Sequence, residues 1–271
     1  MARFTNRATL SYNNGVANSN TVTGQIVEVL SVSKTALTDS YGSGDTVTYV
    51  INLINSGNTA YTGLTVTDDL GAYDFGASSV VPLSYINGTL RYFINGELQT
   101  VPSVGAVSPL TVTGINVPAN GNASIVYSAL TNEFAPLANN SQIVNTATVT
   151  GGGLSAPVTA TETIGRSNEP VLSISKSLNP LSVPVNGTLT YTFIIRNTGF
   201  TEAADEDNIV IRDVFDPILD ITSVTLNGTA LTPATGYTYD RTTGTFATVA
   251  GAVTVPAATF EQNASSGAYS I

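Results

Sequence analysis

Asp45-Thr46-Val47-Thr48-Tyr49-Val50-Ile51-Asn52-Leu53 and, later in the chain, Thr188-Leu189-Thr190-Tyr191-Thr192-Phe193-Ile194-Ile195 decide the fold class. Both runs are rich in Thr, Val, Ile and aromatic residues, which suit a pleated and half-buried surface, and both are bounded by Gly, Asn and Ser. No helical stripe of any length accompanies them. The chain reads as all-β.

Working outward from these runs exposes an internal repeat. Lys34 precedes Tyr49 by 15 residues, and Lys176 precedes Tyr191 by 15. Six residues after the tyrosines stand Asn55-Ser56-Gly57-Asn58 and Asn197-Thr198-Gly199-Phe200. Leu64-Thr65-Val66-Thr67-Asp68-Asp69-Leu70 matches Ile209-Val210-Ile211-Arg212-Asp213-Val214-Phe215, after an acidic insertion around Asp205-Glu206-Asp207. Ile115-Asn116-Val117-Pro118-Ala119 matches Val253-Thr254-Val255-Pro256-Ala257. Two copies of one sandwich domain fit, over residues 28–165 and 166–271, preceded by an extension over 1–27.

The copies are unequal. Copy one continues into Ile143-Val144-Asn145-Thr146-Ala147-Thr148-Val149-Thr150-Gly151, a turn, and Pro157-Val158-Thr159-Ala160-Thr161-Glu162-Thr163; copy two has no counterpart before Ile271. The counterpart stands at the other end, as Phe4-Thr5-Asn6-Arg7-Ala8-Thr9-Leu10-Ser11, then Asn13-Asn14-Gly15, then Asn20-Thr21-Val22-Thr23. A sandwich without its last strands leaves a hydrophobic groove and unpaired edges, and a closing hairpin with nothing to close has the opposite defect. Donation of Phe4, Asn6, Ala8 and Leu10 into copy two of the next molecule removes both defects. The operation is head-to-tail, so it builds a filament unless the rotation closes a ring. Folding of the hairpin back over copy one is the alternative, and a further C-terminal segment completing copy two is another.

Composition bounds the chemistry. The chain lacks Cys, His and Trp, which removes thiol catalysis, Ser-His-Asp triads and imidazole metal sites and makes an enzyme an unexpected reading. Asp68 and Asp69, adjacent on one strand, point to opposite faces and so cannot flank a glycosidic bond. A net charge of -10 and a pI near 4.2 argue against nucleic acid and anionic membrane as partners. No stretch is long enough to span a bilayer, and the segment from Met1 to Asn6 lacks the apolar run of a signal peptide. Work outside a cell would therefore imply a lost leader or another route out, such as lysis of the cell that made the protein. No cofactor is implied. The only two lysines of the chain are Lys34 and Lys176, both at the same position of the repeat.

Lys34 in the first strand, Gly44-Asp45-Thr46-Val47-Thr48-Tyr49, Asn55-Ser56-Gly57-Asn58, Val66-Thr67-Asp68-Asp69-Leu70 and Asn145-Thr146-Ala147-Thr148-Val149-Thr150 resemble the DUF11 family of bacterial surface repeats. Copy two matches through Lys176, Tyr191, Asn197-Thr198-Gly199 and Asp213; it departs at Asn186-Gly187-Thr188, where the usual Gly-Asp is absent, and in lacking the Asn-Thr-Ala strand. The tandem pair also resembles the subunits of clostridial spore appendages. The resemblance implies two tandem Ig-like antiparallel β-sandwich domains with an N-terminal donor hairpin. It extends to Ig-like domains of Gram-positive pilins, in which a strand Lys and a last-strand Asn join in a spontaneous isopeptide bond beside a buried carboxyl group. Carried onto this chain, the set in copy one is Lys34, Asn145 and Asp68, with Asp69 as substitute. In copy two it is Lys176 and Asp213 with Asn6 of a neighbouring molecule. The chemistry needs a neutral amine, which burial favours, and a carboxylic acid to polarise the amide and carry protons as ammonia leaves. The plain alternative is that each lysine pairs with Asp68 or Asp213 as an ordinary ion pair of small net value, with Asn6 and Asn145 as turn or ladder residues.

Other signals are subordinate. Asp205, Glu206 and Asp207 offer oxygens to calcium without the spacing of a recognised loop, and a solvated insertion is the competing reading. Asn-x-Ser/Thr triplets at Asn87, Asn122, Asn139, Asn186, Asn227 and Asn263 follow from composition alone. Tyr73, Phe75, Tyr85, Tyr92 and Phe93 form an aromatic group that suits core packing or a subunit contact more than a glycan floor. The function expected is a self-assembling homopolymer subunit of a surface filament. The alternatives are a monomeric adhesin or stalk fragment presenting loops to a host or matrix ligand, and a lateral surface lattice.

Overall fold

The computed structural model describes residues 2–26 and 29–271, and over them the regular elements are strands apart from one 3₁₀ turn at Asp205–Asp207. The expected border between extension and first sandwich, at residues 27 and 28, lies outside the described residues. Among those described, no helix is long and apolar enough to cross a membrane. The chain divides into two compact units, residues 1–166 with 264–268, and residues 167–263 with 269–271.

The N-terminal segment is a two-stranded ribbon in two pieces. β1 (Ala2–Asn6), β2 (Thr9–Tyr12), β3 (Gly15–Asn18) and β4 (Val22–Ile26) pair as β1 with β4 and β2 with β3. Between the pieces the strands slip out of register, and Ser19 fills the gap: its Oγ accepts the Ala8 N–H at 2.9 Å and its N–H donates to the Ala8 carbonyl at 2.9 Å.

The sandwich of the first unit follows from period-two burial. β5 (Leu30–Ala36), β6 (Ser40–Tyr41), β7 (Thr46–Asn55) and β8 (Tyr61–Asp68) come first. On β7, Val47, Tyr49, Ile51 and Leu53 point inward and are at most 1% exposed, which places the residues between them outward. Short strands follow: β9 (Tyr73–Phe75), β10 (Ser78–Val80), β11 (Leu83–Tyr85), β12 (Arg91–Ile94), β13 (Glu97–Leu98) and β14 (Ser103–Val107). The long strands β15 (Leu110–Val117), β16 (Gly121–Thr131), β17 (Gln142–Gly151) and β18 (Val158–Arg166) complete the unit. One sheet runs β13-β12-β16-β7-β5, with β11 also on β16; the other runs β14-β15-β8-β17-β18-β6. β6 joins β18 in parallel, against an otherwise antiparallel pattern. Consecutive strands β7 and β8 lie in opposite sheets, as do β16 and β17, which is the Ig-like arrangement.

The second unit has the same opening and no closure. β19 (Leu172–Asn179) pairs with β20 (Thr190–Asn197) in a two-stranded sheet, and β21 (Arg212–Val214) joins a three-stranded sheet. The short strands β22 (Thr225–Leu226) and β23 (Thr229–Ala230) form a hairpin; β24 (Tyr237–Asp240) and β25 (Thr245–Thr248) extend β21; β26 (Glu261–Gln262) pairs with β27 (Tyr269–Ser270). In the first unit β8 is flanked by β15 and β17, whereas β21 pairs only with β25 among the described residues. β20 likewise pairs only with β19, while β7 has both β5 and β16. Copy two is thus open along an edge of each sheet among the described residues. The consequence shows in burial: Tyr191, Phe193 and Ile195, at the positions of Tyr49, Ile51 and Leu53, are only half-buried. A cleft of about 520 Å³ opens there, lined among others by Tyr191, Phe193, Ile211, Phe215 and Phe246. Folded interiors hold few voids larger than a water molecule.

Candidate functional site: a buried Lys-Asp pair between the sheets

Lys34 and Asp68 meet across the sandwich. Lys34 is an inward residue of β5, opposite Ile51 of β7, and Asp68 ends β8 in the other sheet, opposite Ala147 of β17. The Lys34 Nζ lies 2.5 Å from the Asp68 Oδ2, with side chains 0% and 1% exposed. The same Oδ2 accepts a hydrogen bond from the Tyr127 hydroxyl at 2.7 Å, and Oδ1 accepts the Leu70 N–H at 3.1 Å. The ammonium sits 4.8 Å from the Tyr49 ring centre and 5.9 Å from that of Tyr127. These two tyrosines are direct cross-strand neighbours on β7 and β16, and their rings stack at 5.6 Å.

Asn145 completes the cluster. It is fully buried on β17, and its Nδ2 donates to the Tyr127 hydroxyl at 3.2 Å. Hydrogen bonds therefore link Lys34, Asp68, Tyr127 and Asn145 in one chain. Two atoms stay outside it: the Asn145 Oδ1 and the Tyr49 hydroxyl are both buried with no hydrogen-bond partner. The Asn145 side chain acts on the Tyr49 hydroxyl as a hydrogen-bonding neighbour, opposing the effect of burial, although no bond of full geometry closes between them. An unsatisfied buried polar group costs about 1–3 kcal/mol.

Burial controls the titration of the cluster. It pulls the Lys34 ammonium below its ordinary range, and the Asp68 charge and hydrogen bond only partly offset this. Burial also pushes both tyrosine hydroxyls up, Tyr127 further by the Asp68 carboxylate. The site thus holds an amine inclined to lose its proton, an adjacent carboxylate, and an amide within the same hydrogen-bonded chain. The Lys34-Asp68 ion pair is present but fully buried, so its desolvation is costly, unlike that of an exposed pair.

Asp69 does not substitute for Asp68. Its Oδ1 accepts the backbone N–H groups of Gly71 and Thr146, both at 2.9 Å, and so fixes the turn after β8 and holds β17.

In the second unit the Lys176 Nζ lies 2.6 Å from the Asp213 Oδ2, with side chains 39% and 13% exposed. Tyr191 lies under the ammonium at 4.4 Å and stacks on Phe215 at 5.4 Å. The pair repeats the first site, but Asp213 accepts from the Lys176 ammonium and the Val214 N–H, and no strands pair here as β16 and β17 do in the first unit among the described residues. Asn6 stands on β1 opposite Val22, as Asn145 stands on β17 opposite Glu162. Phe4, Asn6, Ala8 and Leu10 are all exposed, Leu10 by 64%.

Asp205 and Asp207 spend carboxylate oxygens on the N–H groups of Glu206 and Ala204, and no cluster able to hold a metal ion occurs among the described residues. The aromatic group is dispersed into packing: the Tyr92 hydroxyl bonds the Asn116 carbonyl, that of Tyr73 the Phe134 carbonyl, and Tyr85 packs edge-on to Tyr127.

Sequence reasoning left Tyr49 and Tyr127 out of the site. The signal for Tyr127 was available: Asn122-Ala123-Ser124 followed by Tyr127-Ser128 recurs, with one residue inserted, as Asn263-Ala264-Ser265 followed by Tyr269-Ser270. Tyr269 packs at 5.7 Å on Phe260.

No family model and no curated protein matches the sequence, so the DUF11 resemblance rests on the quoted motifs. Among solved structures, the chain is similar to the pilus backbone RrgB of Streptococcus pneumoniae, with 14% identity and a TM-score of 0.36, covering 45% of this chain and 31% of that one. It is similar to the major pilin subunit BcpA of Bacillus cereus, with 13% identity and a TM-score of 0.37, covering 97% and 70%. Collagen adhesin of Staphylococcus aureus matches with 13% identity and a TM-score of 0.32, covering 70% and 58%. The chain spans under a third of the pneumococcal protein.

Proposed function

We propose that this chain is the subunit of a surface filament, polymerised by donation of the N-terminal hairpin into the open second unit of the next copy. Lys-Asn isopeptide bonds lock it, Lys34 to Asn145 within a subunit and Lys176 to the donated Asn6 between subunits. The observation that carries this reading is the contrast between the two Lys-Asp pairs. The first is sealed by β16 and β17 with an amide in the cluster; the second stands beside an apolar cleft, where β20 and β21 each pair on one side only among the described residues. Support for the donor comes from the N-terminal hairpin, which leaves Phe4, Leu10, Tyr12, Val16 and Val22 at least 55% exposed. An isolated two-stranded ribbon is marginal in water, and an open sheet edge invites another strand.

Each bond forms without a cofactor. One proton passes from the ammonium to the carboxylate, the neutral amine attacks the amide carbon, the new N–C bond forms, and the old C–N bond breaks as ammonia leaves. The test is denaturing electrophoresis of the boiled assembly with mass spectrometry of each band. A ladder of multimers lacking one ammonia per bond, abolished by Asn6→Ala, is expected. A monomer band at the unreacted mass refutes both bonds. Deletion of residues 1–25 stops assembly on this reading; a deletion variant that still assembles removes strand donation.

A further inference from the structure

We propose that Tyr127 and Tyr49 are catalytic residues of the Lys34-Asn145 ligation, Tyr127 relaying the proton from Asp68 to the departing nitrogen and Tyr49 donating to the carbonyl oxygen. The inference rests on the isopeptide reading of this site and deepens it. It starts from a geometric problem. Asp68 must take a proton from Lys34 and deliver one to the Asn145 nitrogen, yet no hydrogen bond joins Asp68 to Asn145 directly; the only hydrogen-bonded route shown between them passes through the Tyr127 hydroxyl.

In the resting site the Tyr127 O–H donates to the Asp68 Oδ2 and accepts from the Asn145 Nδ2. An amide nitrogen accepts no proton while its lone pair is delocalised into the carbonyl. Transfer of one proton from the Lys34 Nζ makes Asp68 a neutral acid, and the neutral amine adds to the Asn145 Cγ. The carbon becomes tetrahedral, its π electrons move to Oδ1, and the Nδ2 lone pair is freed. The hydrogen bonds then reverse: Asp68 donates to the Tyr127 oxygen while the Tyr127 O–H donates to Nδ2. The Asp68 carboxylate takes back a proton from Nζ. The Cγ–Nδ2 bond breaks, the carbonyl reforms, and ammonia departs with the original two hydrogens of Nδ2 and the relayed one. One amide hydrogen remains on Nζ and one proton on Asp68, so atoms and charge balance.

The two unsatisfied groups account for the second role. Charge develops on Oδ1 of Asn145, the oxygen that lacks a donor, and the Tyr49 O–H is the donor that lacks an acceptor. A donor left unpaired in the ground state and engaged as the oxyanion forms favours the transition state selectively. Stacking of the two rings fixes both hydroxyls.

The test uses the full chain carrying Asn6→Ala, so that only the Lys34 bond is followed. It is synthesised cell-free, quenched at intervals and weighed intact. Tyr127→Phe keeps the ring stack and is expected to slow ammonia loss by about 10²-fold or more, the ordinary contribution of a positioned acid-base group. Tyr49→Phe is expected to slow it by about 10²–10³-fold. Should either variant fail to fold by circular dichroism, a ring-fluorinated tyrosine placed at that position keeps shape and O–H but alters acidity, and the rate is expected to change. Rates equal to the parent in the phenylalanine variants, or with the fluorinated residues, overturn the assignment. A parent chain that never loses ammonia overturns the isopeptide reading itself, and the two failures are thereby distinct.

Discussion

Asn145→Ala separates a cross-linked first unit from one held by an ion pair alone. A bond from Lys34 to Asn145 closes a loop of 111 residues. Treated as a chain cross-link, it removes loop-closure entropy from the unfolded state worth about 5 kcal/mol at 25 °C. Asn145→Ala leaves Lys34 paired with Asp68 and loses this constraint together with one hydrogen bond at 3.2 Å, worth about 1 kcal/mol. At roughly 2–4 °C per kcal/mol for a unit of this size, the first-unit midpoint falls by about 12–24 °C. Without a bond, the same substitution costs only about 1 kcal/mol. Asp68→Ala behaves differently: it prevents the bond and also leaves the fully buried Lys34 ammonium without a counter-charge, adding about 3–5 kcal/mol. The assay is urea unfolding of the full chain followed by tyrosine fluorescence, with intact mass on each sample. A first-unit loss under about 2 kcal/mol for Asn145→Ala refutes the cross-link, and a loss for Asp68→Ala no larger than that for Asn145→Ala refutes the buried-charge argument.

Three further outcomes follow from the same geometry. In the unbonded Asn145→Ala variant, Lys34 titrates lower in the folded than in the unfolded chain; from that lowered value up to 10.5 the unfolded state binds the extra proton, so stability rises with pH across this window. The raised Tyr49 and Tyr127 hydroxyls act oppositely, because above about pH 10 the unfolded chain releases protons that the fold retains; a stability maximum near pH 10 in urea titrations checks both signs. Gly24→Val places a Cβ where the Phe4 ring now stands at 2.3 Å; it is expected to disturb the hairpin and slow fibre growth followed by light scattering, while unfolding of the first unit is unchanged. Lys176→Met is expected to leave fibres that form but fall apart to monomers on boiling in detergent, since strand pairing survives and the intersubunit bond cannot form.

What was legible in the sequence was whatever rests on local pattern repeated twice. The strand runs around Tyr49 and Tyr191, the paired lysines and the match of Asp68 with Asp213 are all short-range statements, and all are strands or Lys-Asp contacts in the fold. Burial was not legible. Lys34 and Lys176 have nearly identical flanks, yet one is sealed and the other half-exposed, because the difference lies in strands more than 90 residues away in the first unit. Tyr127 escaped for the same reason. Its alternating context on β16 reads as ordinary core, and only the register that sets it opposite Tyr49 brings its hydroxyl to Asp68.

That dependence on strand neighbours has a chemical consequence. In the half-open second unit the Lys176 side chain is 39% exposed and stands in water, unlike the sealed Lys34. On the proposed reading, a donated strand that covers the cleft buries the amine in the same step that delivers the amide, so reaction is expected only where two subunits have docked. In the first unit, by contrast, folding alone seals Lys34 against Asp68 and links them through Tyr127 to Asn145. On the proposed reading, one constellation placed in a closed and in an open sandwich would serve as an internal clamp in one case and as an assembly-gated weld in the other.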